Sequence, residues 1–359
     1  MNAKRLFNLC AAVFLTLSFI ILPASAAETF SDIPADSSYY ESVDYLAERG
    51  ITSGTGGGCF SPGRPITVRE WAVFLSRAFG GRPLSGELSD DPTALCIQRC
   101  YQNGWLGVSS AASPDETLCR GELLLSAFRA AGLPVYEASL YGGARMTPQE
   151  NALRLGGELG LCPKESSASE LMTRGAAARL LFSLLTQSYA VAGPPVLNAL
   201  SIQAAPSADL NRYLMEIECV PAPILRTFRE AGWEYHVSPA YLQTYSRQHG
   251  LSCIGLTSYS ERRIYVSVPS STLHEFGHFL DWTLGFPAEH EALYHEEAHS
   301  ARTVLREYAL ANSREYFADC FAFWIRNSDD ESQLERLSAA PPKTYAYFSE
   351  LAAHGWSAE

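Results

Sequence analysis

The sequence predicts two unlike halves: an all-α bundle of three helix–loop–helix repeats, then an α+β domain with a small sheet, a motif-bearing helix and a later glutamate-bearing helix. Three observations predict this. Gly-apolar pairs recur at Gly50-Ile51, Gly104-Trp105 and Gly160-Leu161, with separations of 54 and 56 residues. The stretch AVAGPPVLNALSIQAAPSAD, Ala190 to Asp209, then breaks the pattern with Pro, Ala and Ser. Beyond it Trp, Tyr and His become frequent, and STLHEFGHFLDW appears at Ser271 to Trp282.

The first element is a leader. Lys4 and Arg5 precede an apolar run that ends in Pro23 and Ala24-Ser25-Ala26. This predicts a secretory signal peptide, residues 1–26, cut after Ala26. No other segment is apolar enough to span a membrane, so no span is expected after cleavage. Its removal leaves 25 basic against 39 acidic residues. Such an acidic balance argues against a nucleic-acid partner. Eight cysteines remain, an even number that permits disulfides outside the cell without fixing their pairing. With 47% apolar and 18% charged residues, the chain is globular rather than disordered.

The repeats follow, with expected bounds 28–81, 85–135 and 136–189. Each glycine pair closes an apolar helix. An Arg-bearing helix start comes later in each unit: ITVREW at 66–71, LCRGEL at 118–123 and MTRGAA at 172–177. Arg69, Arg120 and Arg174 are 51 and 54 residues apart. Thr67 and Thr173 are N-cap candidates. Each unit presents a sticky face that needs its neighbours.

The first unit, FSDIPADSSYYESVDYLAERGITSGTGGGCFSPGRPITVRE, resembles the S-layer homology (SLH) domain. Its Phe-x-Asp opening, aromatic pair, Gly-Ile before a Gly-rich turn, and Phe-x-Pro before the Thr-bearing helix carry the likeness; the other two units are degenerate. The resemblance implies a triplet that holds an exported protein on a Gram-positive-type wall through secondary cell-wall polysaccharide. It implies Arg69, Arg120 and Arg174 as contacts to that anionic polymer. Arg69 sits one position late, and Ala176 stands where Glu is usual. The alternative is that these arginines are ordinary helix-start charges.

Residues 190–209 are expected to be a linker, and residues 210–359 a second domain with its own core. In that domain RRIYVSVP at 262–269 alternates Ile264, Val266 and Val268, which predicts a strand. STLHEFGH follows at once. On a helix, i and i+4 share a face about 6 Å apart, so His274 and His278 can point at one metal ion while Glu275 reaches a water beside it. A second His-x-x-x-His match, HEEAH at His295 to His299, carries extra glutamates and reads as a solvated helix face. The apolar surroundings of the first match favour it.

Two histidines need a third protein ligand for hydrolytic zinc chemistry. Asp281 and Leu284 stand where a metzincin needs Gly and His, which excludes that class. Glu289, Glu291, Glu296, Glu297, Glu307 and Glu315 are the carboxylate candidates. Glu297 has thermolysin-like spacing, but Ala301 occupies the place of the downstream carboxylate. Glu315 is favoured. It lies in NSREYFADCFAFWI, an amphipathic helix opened by Asn312 or Ser313, with Asp319 four residues on, able to hydrogen-bond a ligand histidine.

HEFGH followed by Tyr-x6-Glu-x-Phe-Ala-acid, here YALANSREYFAD from Tyr308, resembles the anthrax lethal-factor-type peptidase domain, a group that includes small secreted Pro-Pro endopeptidases. Asp319 replaces the more usual Glu. The resemblance implies a zincin-like fold over about 210–355 and one Zn2+ held by His274, His278 and Glu315. It also implies Glu275 as general base toward a zinc-activated water, and Tyr308 as transition-state support. The expected function is a secreted, wall-anchored zinc metalloendopeptidase acting on peptide bonds, Pro-Pro bonds among them, of surface or extracellular proteins. The alternative is a catalytically silent binding protein with the same domain. RRIYVSV is the candidate sheet edge for a peptide substrate. Trp233 and Tyr235 are candidates to stack on a prolyl ring, or else core residues. Pro194-Pro195 in the linker is a candidate self-cleavage point.

Overall fold

The computed structural model describes residues 29–81, 89–205 and 209–357. The signal peptide of residues 1–26 lies outside the described residues, as does the start of the second repeat at 85–88. Among the described residues no helix is long and apolar enough to cross a membrane.

Three successive helix pairs, in chain order, form the first half: Tyr40–Glu48 and Val68–Phe79, Pro92–Gln102 and Arg120–Ala130, Pro148–Glu158 and Arg174–Thr186. The helices pack between pairs, Val68–Phe79 on Pro92–Gln102, Arg120–Ala130 on Pro148–Glu158 and Arg174–Thr186 on Tyr40–Glu48. The recurrent glycines stop the first helix of each pair. Gly50, Gly104 and Gly160 have φ of +66°, +72° and +72°, a conformation that favours glycine. The residue after each donates back into the last turn: Ile51 to Leu46 at 2.9 Å, Trp105 to Cys100 at 2.8 Å, and Leu161 to Gly156 at 2.8 Å. Thr67 and Thr173 cap the second helices of their pairs as expected, Thr67 in a full capping box with Glu70. Asp32, from the Phe-x-Asp opening, accepts the backbone N–H groups of Phe60 and Ser61 at 2.7 Å each, pinning the Phe-x-Pro turn.

The segments before the second helices meet in a closed ring. Ile66 donates to Met172, Met172 to Leu118, and Leu118 to Ile66, at 2.9, 3.0 and 3.0 Å. Each unit's backbone is thereby satisfied by the other two. Trp71, Phe60, Leu123 and Leu181 fill the core beneath.

A second core carries a four-stranded sheet, β1 (Ser201–Ala204), β2 (Glu234–Val237), β3 (Gly255–Ser258) and β4 (Arg263–Val266), in the order β1-β2-β4-β3. Only β3 runs antiparallel to its neighbour. Two expectations are corrected here. The 190–209 stretch is not a plain linker: Pro195–Ala199 is helical, Val196 and Leu200 are buried in the second core, and Ser201–Ala204 is the first strand. The strand in RRIYVSVP is not an edge, because β2 and β3 flank it and bury Ile264, Tyr265 and Val266. The free edge beside it is β3.

The motif helix Thr272–Thr283 packs on the sheet and against the glutamate helix Ser313–Arg326. Gly277 permits that packing. A Cβ there would lie 2.7 Å from the Ala318 Cα and 2.9 Å from its carbonyl oxygen. The two cores meet at Leu140, which leaves the third repeat to join the second core. Asn211 clasps the same segment, accepting from the Glu137 N–H at 2.8 Å and donating to the Val135 carbonyl at 2.7 Å.

Candidate metal centre

His274 and His278 leave one face of the motif helix, both buried. Glu315 arrives from the first turn of the glutamate helix, which Asn312 opens by accepting from the N–H groups of Arg314 and Glu315. The distances are 3.1 Å between the two Nε2 atoms, 3.0 Å from His274 Nε2 to Glu315 Oε2, and 3.3 Å from His278 Nε2 to the same oxygen. These donors fit a zinc ion: tetrahedral ligands at 2.0–2.1 Å lie about 3.3 Å apart. One ligand atom from each of the three side chains lies within 4.8 Å of the others.

Asp319 accepts a hydrogen bond from His274 Nδ1 at 2.7 Å. That contact protonates Nδ1 and leaves the Nε2 lone pair facing the cluster. Arg306 donates to both Asp319 oxygens, through Nε at 3.0 Å and through a short Nη2 contact. Burial of Asp319 raises its pKa, but the hydrogen bonds from His274 and Arg306 outweigh this and lower it. His274 is opposed by burial yet pushed up to about 9 by Asp319 and Glu315. Glu315 is lowered despite its burial, by both histidines. The cluster attracts positive charge.

Glu275 lies beside the histidines, buried, and burial raises its pKa. Thr257 on β3 donates to its Oε2 at 2.8 Å. Gly255 lines it closely: a Cβ there would come within 2.1 Å of Glu275 Oε1. Tyr308 sits on the short helical turn Glu307–Leu310, 57% exposed, its ring 5.9 Å from that of His274. Partial burial and the charges of Glu315 and Glu275 push its hydroxyl up to about 12. All these groups line one cleft of about 670 Å3, walled by Gly255, Leu256 and Thr257 of β3.

Residues 241–351 match the family model of the anthrax toxin lethal factor, N- and C-terminal domain. Residues 29–67, which hold the helix Tyr40–Glu48 and the loop up to the next helix, match the S-layer homology domain. One chain carries both. The lethal factor domain family is one of zinc metalloproteases, and SLH domains bind cell-wall polysaccharide. The chain is 39% identical over 54 residues to "S-layer protein sap" of Bacillus anthracis and 37% identical over 54 residues to "S-layer protein" of Bacillus thuringiensis subsp. finitimus. Each match covers 15% of this chain and 7% of the relative. The SLH match and these relatives indicate a cell-surface or S-layer location of the Gram-positive type.

Other sequence candidates lie elsewhere. Trp233 and Tyr235 are 1% and 0% exposed and cannot stack on a substrate. Trp233 packs on Phe228, Phe279 and Trp282, and Tyr235 bonds Thr272 beneath the motif helix. Glu297 is a cap: it accepts from the N–H groups of Lys343 and Thr344 at 2.8 and 2.7 Å. Glu291 pairs with the exposed His295, Glu296 with Lys343, and Glu307 with Arg302. Arg174 is buried over Phe60, paired with Glu70 at 2.9 Å, so its guanidinium is not an open contact for a polymer. Arg120 pairs with Glu170 at 2.7 Å and Arg69 with Asp115 at 3.0 Å. Sequence reasoning missed Thr257, Gly255 and Arg306; only Arg306, two residues before Tyr308, carries a local hint.

Proposed function

We propose that this chain is a cell-surface zinc metalloendopeptidase that hydrolyses peptide bonds of surface or extracellular proteins, Pro-Pro bonds among them. The observation that supports it is the convergence of His274, His278 and Glu315, with ligand atoms all within 4.8 Å of one another, beside Glu275 in one cleft. Held by those three side chains, zinc would supply a Lewis acid that polarises the scissile carbonyl and acidifies water. Glu275 takes the proton of the attacking water and returns it to the leaving amine; its raised pKa suits both halves of that transfer. Thr257 fixes the carboxylate's aim. Tyr308, protonated near neutrality, donates to the oxyanion. Asp319 and Arg306 orient His274.

A peptide substrate would add along the free edge of β3, whose residues wall the cleft. Self-release at Pro194-Pro195 is disfavoured, because that bond opens a helix with Pro194 and Val196 buried. The SLH-like half would tether the enzyme to anionic wall polysaccharide. With Arg174 buried, Arg69 and Arg120 remain as its candidate contacts.

The test pairs a zinc assay with a peptide mixture, some members containing Pro-Pro. Glu275→Gln should keep the metal and lose at least about a hundred-fold in kcat/KM. Stoichiometric zinc with no peptide cleaved by the unaltered protein would leave a binding module instead.

A further inference from the structure

Arg314 is exposed on the wall of the metal cleft, one residue before Glu315. Its guanidinium carbon lies 4.2 Å from the Phe286 ring centroid and 5.9 Å from that of Tyr259. Those rings form a shelf, edge to face at 5.3 Å. Phe286 holds its place with φ of +52°, a left-handed conformation costly for an aromatic residue. The shelf holds the guanidinium of Arg314 where that residue lines the cleft. Among the described residues no carboxylate comes within 4.0 Å of its nitrogens. The cleft's other arginine, Arg306, is committed to Asp319. A net charge of −12 supplies many acidic partners, yet none is placed here.

We propose that Arg314 is a specificity residue that receives a substrate carboxylate, from a Glu or Asp side chain or from the peptide's C-terminus. A planar guanidinium pre-ordered on aromatic faces suits bidentate carboxylate binding, since little conformational freedom is left to lose. The proposal rests on the cleft being a peptide site, and the experiment separates the two.

Peptide binding is read by fluorescence anisotropy on zinc-loaded full-length mature protein carrying Glu275→Gln, so turnover is not needed. One set of amidated peptides differs only by Glu against Gln, scanned through each position. A second pair, without acidic side chains, differs only by a free or amidated C-terminus. The carboxylate member of a pair should bind about ten-fold more tightly, less so as salt rises. Adding Arg314→Gln should bring the ratio close to one, and Arg314→Glu should turn the preference toward Lys. A preference within the amidated set assigns the side chain, and one within the second pair assigns the terminus; either supports the proposal. Parity in the protein that retains Arg314, a preference that survives Arg314→Gln, or no binding of any peptide overturns it. Preference without hydrolysis by the unaltered protein would sink the peptidase reading and leave the carboxylate site standing.

Discussion

Asp319 decides which nitrogen of His274 faces Glu315, through a single hydrogen bond of 2.7 Å. An asparagine there keeps the shape, loses the charge that favours His274 as a ligand, and strands Arg306. Asp319→Asn should weaken zinc binding by about ten- to a hundred-fold, measured by competition with a chromophoric chelator, with the far-UV circular dichroism unchanged. An unaltered affinity would mean that Asp319 serves only Arg306. At this scale the sequence is legible where spacing carries geometry. His274 and His278 share a helix face by their separation alone, and Glu315 and Asp319 repeat it on a second helix. It is illegible where one residue type has two fates. Trp233 and Tyr235 look like substrate platforms in a line of text, yet Phe228, Phe276 and Phe279 enclose them. Gly255 and Thr257 acquire meaning only when β3 lies against Glu275, a contact between segments about 20 residues apart that no local pattern announces.

Between elements, the decisive contact is the motif helix against the glutamate helix, and Gly277 sets its closeness. Gly277→Ala would press a methyl into the backbone of Ala318, which cannot swing aside as a side chain tip can. The helices must separate, drawing Glu315 and Asp319 away from the histidines. Overpacking of this kind costs about 1–3 kcal/mol. We expect a Tm lower by several degrees together with weaker zinc binding. Gly157→Ala is the control: its methyl would meet Lys164 no closer than 3.4 Å, and on a helix it should be neutral or stabilising. A Gly277→Ala protein with unchanged Tm and zinc affinity would show that the helices do not need that closeness. Most helices are readable beforehand because their ends are chemically marked, by Thr67, Thr173 and Asn312 at the starts and by Gly50, Gly104 and Gly160 at the stops. The strands are four residues each, too short for alternation to declare which one is an edge. Their order is set by pairing across the chain, and that is why β4 reads as an edge and is enclosed.

For the whole molecule, the boundary between halves falls earlier than composition suggests. Val196 and Leu200 are buried among residues of the second core, and β1 pairs with β2 through all four of its residues. Leu140 and the Asn211 clasp carry the join back into the third helix pair. A chain beginning at residue 210, the composition-based boundary, would lack β1 and both apolar anchors. Burying one such side chain contributes about 1.5–3 kcal/mol, so the loss approaches the whole net stability of an ordinary domain, roughly 5–15 kcal/mol. A chain beginning at residue 190 keeps β1 and loses the contacts of Tyr136, Leu140 and Tyr141 and the Asn211 clasp. Tm should therefore fall in the order full mature chain, 190–359, 210–359, with the larger step at the second truncation, as read by thermal unfolding with zinc held at one concentration. Zinc affinity should follow the same order, because β2 and β4 support the motif helix and β1 covers the open side of β2. Equal Tm values for the two truncated chains would mean that β1 is an ornament on a core complete without it.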